Sequence, residues 1–114
     1  MNHKIIINNN DFNKIKSGYK RMYLRLYDDL GKNIYKEDTI TFINEETKEE
    51  IETEVLYLHI YGTFEYLYND YDKISLGYYK EEECSYKDMF KYYSLEEQEN
   101  NGVMGIEIRL IDGE

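Results

Sequence analysis

The sequence predicts a small α+β domain of about five strands, with helices inserted between the fourth and fifth strands. Five segments alternate apolar and polar residues, which is typical of half-buried strands. Between residues 63 and 102, capping residues precede short amphipathic segments, which is typical of helices. A length of 114 residues suits one domain, spanning 1–114, with a single modest core.

The five strands are predicted from their alternation and from the breakers between them. The Asn run after the first strand and Gly18 before the second are such breakers. The acidic segment 45–48 is predicted to be a turn, so the third and fourth strands should form a hairpin. The predicted strands cover residues 4–7, about 20–27, 39–44, 49–61 and 103–111.

Short helices are predicted where a capping residue precedes an apolar periodicity. Ser94 and Glu97 match the capping-box spacing, in which each side chain bonds the backbone N–H of the other residue. Gly18 and Gly102 are expected to end the first and last of these helices. The predicted caps are Asn10 or Asp11, Thr63, Ser85 and Ser94.

The second strand has two chemically different faces. Its apolar face is expected to pack in the core, whereas the other interleaves guanidinium groups with aromatic rings, which suit phosphates and bases. A helix would also align Tyr19, Tyr23 and Tyr27, but it would mix the leucines with the arginines, so a strand is favoured. The apolar face comprises Met22, Leu24 and Leu26, and the other comprises Arg21, Tyr23, Arg25 and Tyr27.

Several motifs occur in the same order as in a known family. Segment 17–20 is Ser-Gly-Tyr-Lys and segment 25–28 is Arg-Leu-Tyr-Asp, which together resemble an opening motif G-x-K-x-x-[E/T]-x-R. Segment 36–42 resembles its K-x-G-D-x-I-x-F strand entry, and segment 92–108 resembles its closing YS…GV-x-G-I-E-I. The chain thus resembles the ASCH family, a branch of the PUA-like superfamily, in its small bacterial or phage-type form.

This resemblance implies a PUA-like fold, a small mixed β-barrel of about five strands flanked by two to four short helices. It also implies a cleft beside the Lys20 turn and a nucleotide or RNA ligand. Tyr23 stands where many members carry Glu or Thr, and Glu37 stands where Gly is usual. The expected ligand-binding residues are Tyr19, Lys20, Arg21, Tyr23 and Arg25.

Hydrolysis in the same cleft is an alternative to simple binding. Some ASCH members are amidohydrolases of acetylated cytidine that use a lysine, a hydroxyl residue three positions on and a downstream glutamate. By resemblance, Lys20 and Tyr23 are the catalytic candidates, although a phenol is bulkier than Thr and a poorer nucleophile. A weak single-strand ribonuclease with Lys20 as base is a variant of this hypothesis. The acid is left open among Glu81, Glu82 and Glu83.

Arg25 has two interpretations that the sequence does not separate. A guanidinium forks onto phosphate or carboxylate, so Arg25 is expected either to clamp a ligand or to form a salt bridge. The partners considered for that salt bridge are Glu54 and Glu107. Lys20 likewise has a plainer interpretation, as a solvated lysine or a phosphate contact.

Charge is distributed unevenly along the chain. The net charge of −10 divides into +5 over residues 1–36, from eight basic and three acidic residues, and −15 over 37–114, from six and twenty-one. An acidic body penalises long duplex DNA, whereas a local basic cleft can still hold a nucleotide or a short single strand. The same acidity suggests a third hypothesis, a protein-interaction module or nucleic-acid mimic. We expect a monomer or weak dimer, with a possible protein partner on the acidic surface.

Several chemistries have no support in the sequence. The single Cys84 excludes an internal disulfide and a cysteine zinc site, and His3 and His59 lack metal-ligand spacing. There is no phosphate loop, dinucleotide fingerprint or nucleophile elbow, so no cofactor or metal is expected. The apolar run at the N-terminus is too short for a signal peptide or membrane span, so we expect a cytoplasmic protein without membrane contact.

Overall fold

Five strands form one curled sheet in the structure, a computed structural model that describes residues 1–111. The strand order is β1-β3-β4-β5-β2, with β1 parallel to β3 and every other pair antiparallel. The sheet is therefore a half-barrel whose two edges, β1 and β2, are not paired to each other. The strands are β1 (Asn2–Ile7), β2 (Met22–Leu26), β3 (Thr39–Asn44), β4 (Glu50–Tyr61) and β5 (Val103–Leu110).

Within the described residues, five helical segments accompany the sheet, one more than the upper limit of the two to four predicted. They are α1 (Asn9–Lys16), α2 (Asp29–Lys32), α3 (Phe64–Asp70), a 3-10 helix (Tyr86–Lys91) and α4 (Leu95–Asn101). The α+β class is thereby confirmed. The unpredicted segment is α2, a single turn capped by Asp28, whose side chain accepts from the Gly31 N–H at 3.0 Å.

The start of α1 differs from the prediction. Asn8 is the cap, because its side-chain oxygen accepts from the backbone N–H of Asp11 at 2.8 Å. Its side-chain amide also donates to the Asp11 carboxylate at 3.1 Å, which adds a second bond between the same two residues. Asn10 and Asp11 are therefore inside the helix, and one Asp11 oxygen remains available on the side of Lys20. Gly18 follows the helix with a φ of 82°, a conformation that favours glycine.

Two predictions that rest on residues close together in sequence are confirmed, a hairpin and a capping box. Strands β3 and β4 form the predicted antiparallel hairpin around residues 45–49. The Ser94 hydroxyl accepts from the Glu97 N–H at 3.1 Å, and the Glu97 carboxylate accepts from the Ser94 N–H at 2.9 Å. These two bonds complete the capping box that begins α4.

Buried side chains form two clusters, one on each face of the sheet. The main core lies inside the curl and packs α1 against the strands; it includes Ile5, Phe12, Ile40, Phe42, Val55 and Ile106. The tyrosine-rich layer covers the other face with residues 61–93; it includes Phe64, Leu67, Leu76, Met89 and the partly buried Tyr61, Tyr68, Tyr71, Tyr78, Tyr86 and Tyr93.

Strand β2 is buried on both faces, which corrects the expectation of an open arginine–tyrosine face. Met22, Leu24 and Leu26 pack in the tyrosine-rich layer. Tyr23 belongs to the main core, where its ring meets Phe42 edge-on at a centroid distance of 5.0 Å. The curl of the sheet explains the difference, because it turns the face that alternation alone would leave open into the interior.

Candidate functional site

A cavity of about 420 Å³ lies in the seam between the two edge strands. Ile6 and Ile7 of β1 line it on one side, and Tyr23 and Leu24 of β2 line it on the other. Successive residues of a strand point to opposite faces, so a cavity that touches both members of each pair must run along the strand edges. We call it the seam cavity.

The remaining walls come from the start of α1 and from residues 68–93. Asp11 and Lys14 contribute from α1, and Glu82 and Asp88 contribute from residues 68–93. Aromatic rings dominate the rest. The tyrosines that line the cavity are Tyr23, Tyr68, Tyr78, Tyr92 and Tyr93.

Lys20 is held firmly within the seam cavity. Its side chain is only 11% exposed, and its Nζ lies 3.4 Å from an Asp11 carboxylate oxygen. Its methylene groups pack directly on Gly77, where an added Cβ would lie 2.8 Å from the Lys20 Cγ. Gly77 also has a φ of 94°, which disfavours any other residue. Gly77 thus fixes the path of the Lys20 side chain toward Asp11.

Tyr23 reaches the cavity from the main core with only 9% of its surface exposed. Burial raises the pKa of its hydroxyl to about 12, and the nearby Arg25 guanidinium offsets that shift only in part. At neutral pH the phenol is therefore protonated, so it can donate or accept a hydrogen bond. It is a poor nucleophile in this state.

Arg25 does not line the seam cavity. Its Nε donates to the Leu26 carbonyl at 3.1 Å, and its terminal nitrogen donates to the Asp28 carboxylate at 3.0 Å. Burial would raise the pKa of Asp28, but hydrogen bonding from the Gly31 N–H and the charge of Arg25 outweigh it, so that pKa is lowered. In this structure, Arg25 secures the cap of α2.

Neither salt bridge considered for Arg25 forms. Glu54 instead pairs with Arg109, at 2.6 Å. Glu107 instead pairs with His59, at 2.8 Å. The partner that Arg25 has, Asp28, is only three residues away in sequence.

Tyr19 and Arg21 lie outside the seam cavity, on a separate groove of about 430 Å³. The Tyr19 hydroxyl donates to the Tyr78 carbonyl at 2.7 Å, and its ring packs on Tyr79 at 4.7 Å. The five predicted ligand-binding residues are thus divided by the turn that precedes β2. Lys20 and Tyr23 share one cavity, Tyr19 and Arg21 share the neighbouring groove, and Arg25 lines neither.

Lys14 is a cavity residue that sequence reasoning missed. Its Nζ donates to the Gly77 carbonyl at 2.8 Å and to Glu82 at 3.1 Å, and it sits 4.4 Å from the centre of the Tyr79 ring. Among the three acids left open by the sequence, Glu82 is the one at the cavity. Hydrogen bonding from the Tyr79 N–H and from Lys14 lowers its pKa. No local signal pairs residues that are 68 positions apart.

Three further cavity residues form a hydrogen-bonded chain. The hydroxyls of Tyr68 and Tyr78 lie 2.9 Å apart, and Tyr78 donates to the Asp88 carboxylate at 2.8 Å. Burial raises the pKa of both tyrosines, so both remain phenols over the physiological range. The chain gives one wall of the cavity a fixed polar surface.

Within residues 1–111, no group of three or more His, Cys, Asp or Glu side chains is arranged to hold a metal ion. His3 pairs with Asp38 at 2.9 Å, and Cys84 is an exposed free thiol. In the same range, none of the helices combines the length and the apolarity needed to span a bilayer.

Two solved structures share this fold. The crystal structure of the hypothetical archaeal protein PH0355 aligns with a TM-score of 0.82 and 23% identity, over 97% of this chain and 100% of that chain. The solution NMR structure of protein PF0455 from Pyrococcus furiosus aligns with a TM-score of 0.71 and 22% identity, over 98% and 99% respectively. No protein-family model and no curated protein matches the sequence. At these identities the similarity establishes the fold alone.

Proposed function

We propose that this protein binds a nucleotide, or one nucleotide of a single RNA strand, in the seam cavity. The observation that carries the proposal is the convergence of five tyrosines and Lys20 on one ligand-sized space. Small-molecule sites typically enclose about 300–1,000 Å³, and 420 Å³ falls in that range. The ordered ASCH-like motifs and the curled half-barrel support a PUA-like assignment, which is part of the same proposal.

Aromatic side chains supply the affinity for a base. Stacking of a base on an aromatic ring contributes about 1–3 kcal/mol and tolerates different bases. Tyr92 and Tyr93 lie beside each other at the cavity with ring centres 6.3 Å apart, so they offer adjacent surfaces. Tyr93 also stacks on Phe64 at 6.0 Å, which holds its ring in place.

The charges of the cavity favour a single phosphate over a long polyanion. Three lysines line it, but four carboxylates do as well, so its formal charge is close to neutral. Lys14 is already engaged by Glu82, whereas Lys20 has one longer contact to Asp11. Of these two lysines, Lys20 has the longer carboxylate contact, so its Nζ is the more readily shared with a ligand phosphate. The cationic and anionic residues are Lys14, Lys20 and Lys91, and Asp11, Glu45, Glu82 and Asp88.

Titration of the protein with cytidine monophosphate and with short single-stranded RNA tests this proposal. Lys20→Ala should weaken binding about tenfold, the scale of one charge-assisted hydrogen bond, and added salt should weaken binding by wild type more than by the variant. Lys16→Ala is the matched control, because Lys16 is 51% exposed and pairs with Glu49 rather than with a cavity residue. That control should bind as wild type does.

Two outcomes would overturn the proposal. Equal affinities for wild type and Lys20→Ala would remove Lys20 from the site. If the protein binds neither cytidine monophosphate nor RNA but does bind a basic protein, the hypothesis of an acidic interaction module would be favoured instead.

Hydrolysis remains a second candidate, favoured by one contact. Lys20, Asp11 and Tyr23 meet in one cavity, so Asp11 is better placed than any of Glu81–Glu83 to act with Lys20. We expect weak or absent hydrolysis of acetylcytidine, because the Tyr23 phenol occupies the place of a small hydroxyl residue and is protonated. Efficient turnover that Lys20→Ala abolishes would instead make this protein an enzyme.

A further inference from the structure

The free edge of β2 carries main-chain groups that have no partner in the described protein. The Tyr27 N–H donates to the Gly102 carbonyl, and the Ile108 N–H donates to the Arg21 carbonyl. In an antiparallel ladder, residues directed at the partner strand alternate with residues directed away from it. The register therefore directs the main-chain N–H and C=O of Tyr23 toward β5, and those of Leu24 away from β5. Within residues 1–111, no group bonds the Leu24 N–H or C=O.

The free edge of β1 is equivalent. The Glu45 N–H donates to the Ile7 carbonyl, which directs Ile7 toward β3. The peptide groups of Ile6 then point to the opposite edge, and none of the described residues bonds them. Ile6 and Leu24 both line the seam cavity, so two unpaired strand edges meet there.

We propose that these main-chain groups, and Leu24 above all, recognise the hydrogen-bonding edge of the base of a bound nucleotide. This rests on the proposed function and specifies how the same cavity selects its ligand. In an extended residue the N–H and C=O point in the same direction, side by side. They match a base that presents an acceptor beside a donor, as N3 and the 4-position of cytosine and uracil do and as N1 and the 6-position of the purines do. Pyrimidine nucleotides are suitable probes of this match.

The surroundings favour a base over an extended peptide as the occupant. A peptide that closed the sheet would need a continuous slot along the strand, at about 3.3 Å per residue. The seam cavity is instead a compact space of about 420 Å³, with Asp11 and Lys20 on one side and the hydroxyls of Tyr68 and Tyr78 on another. Its rings suit the faces of a planar ligand, and its strand edges suit the rim of that ligand.

Amide NMR on the wild-type protein tests the role of Leu24 without a mutation. In the free protein, the Leu24 and Ile6 amides should exchange with solvent faster than that of Tyr23. On titration with cytidine monophosphate, the Leu24 amide should shift downfield and become protected. Met22 provides an internal control, since its amide points to the same edge but Met22 lines the groove that contains Tyr19 and Arg21 rather than the seam cavity. Its signal should change little.

Methylated ligands supply the matched comparison. Uridine monophosphate should bind at least about tenfold more tightly than its 3-methyl derivative, which lacks the N3 donor. The 5-methyl derivative should bind nearly as tightly as uridine monophosphate does. If nucleotides bind but the 3-methyl group is tolerated and the Leu24 amide does not respond, the inference is wrong and the proposed function stands. If no nucleotide binds, both are wrong.

Discussion

The two faces of the sheet are buried by different means. In the main core, hydrocarbon side chains from neighbouring strands pack against one another. Among the buried residues of that core in the described protein, Tyr23 is the single tyrosine. In the tyrosine-rich layer, phenols from short helices and irregular segments bury their rings and bond their hydroxyls to one another or to carboxylates, as Tyr61 does with Asp70. The stability of the tyrosine-rich layer therefore depends on hydrogen bonds from individual hydroxyl groups, whereas that of the main core depends on the volume that its side chains fill. The seam cavity opens where the two meet.

The largest expected effect lies in the main core. Phe42→Ala should lower the free energy of unfolding by about 3–5 kcal/mol, because the Phe42 ring is fully buried and its removal leaves a cavity beside Tyr23. Urea unfolding measures the loss. Phe90→Ala is the matched control, since Phe90 is 44% exposed and its loss should cost less than about 1 kcal/mol. Similar losses for the two variants would contradict the division drawn here.

A single oxygen in the tyrosine-rich layer should have the next largest effect. Tyr78→Phe removes the hydroxyl that joins Tyr68 to Asp88, so we expect a loss of about 1–3 kcal/mol, although the ring is kept. Tyr66→Phe is the control, because Tyr66 is exposed and should change stability by less than about 0.5 kcal/mol. Thermal unfolding of both variants would decide the matter. If Tyr78→Phe is neutral, the layer depends on hydrocarbon packing as the main core does.

The same contrast explains how much of the fold the sequence predicts. Alternation and turn residues act over a few positions, so the hairpin of 39–61 and the strand 103–110 follow from the sequence. The helix cap at Asn8 was missed because Asn10 and Asp11 are equally good capping residues in isolation. Segment 71–85 has no periodicity, and its path depends on tertiary bonds such as that from Tyr19 to the Tyr78 carbonyl.

The candidate site was predictable only in part, for a related reason. The motif around Lys20 placed Lys20 and Tyr23 in one neighbourhood, and the cavity contains both. Alternation alone could not show that the curl of the sheet turns Arg25 toward Asp28. Nor could it pair Lys14 with Glu82, because that contact depends on the packing of a distant segment across α1. Long-range contacts therefore determine which distant residues line the cavity, whereas the local motif accounts only for Lys20 and Tyr23.

The smallest expected effect tests a local feature within the tyrosine-rich half of the molecule. Ser94→Ala removes one bond of the capping box of α4, so it should cost about 1 kcal/mol. Because the two side chains act as a unit, Glu97→Ala in the Ser94→Ala background should cost less than Glu97→Ala alone. Urea unfolding of the two single variants and the double variant gives the coupling. Strictly additive losses would show that the two bonds act independently.

The seam cavity should be unaffected in all three variants, because α4 contributes no residue to its walls, so nucleotide binding should match that of the wild type. A parallel loss of binding would show that the cap also positions Tyr93, which lies immediately before Ser94 and lines the cavity.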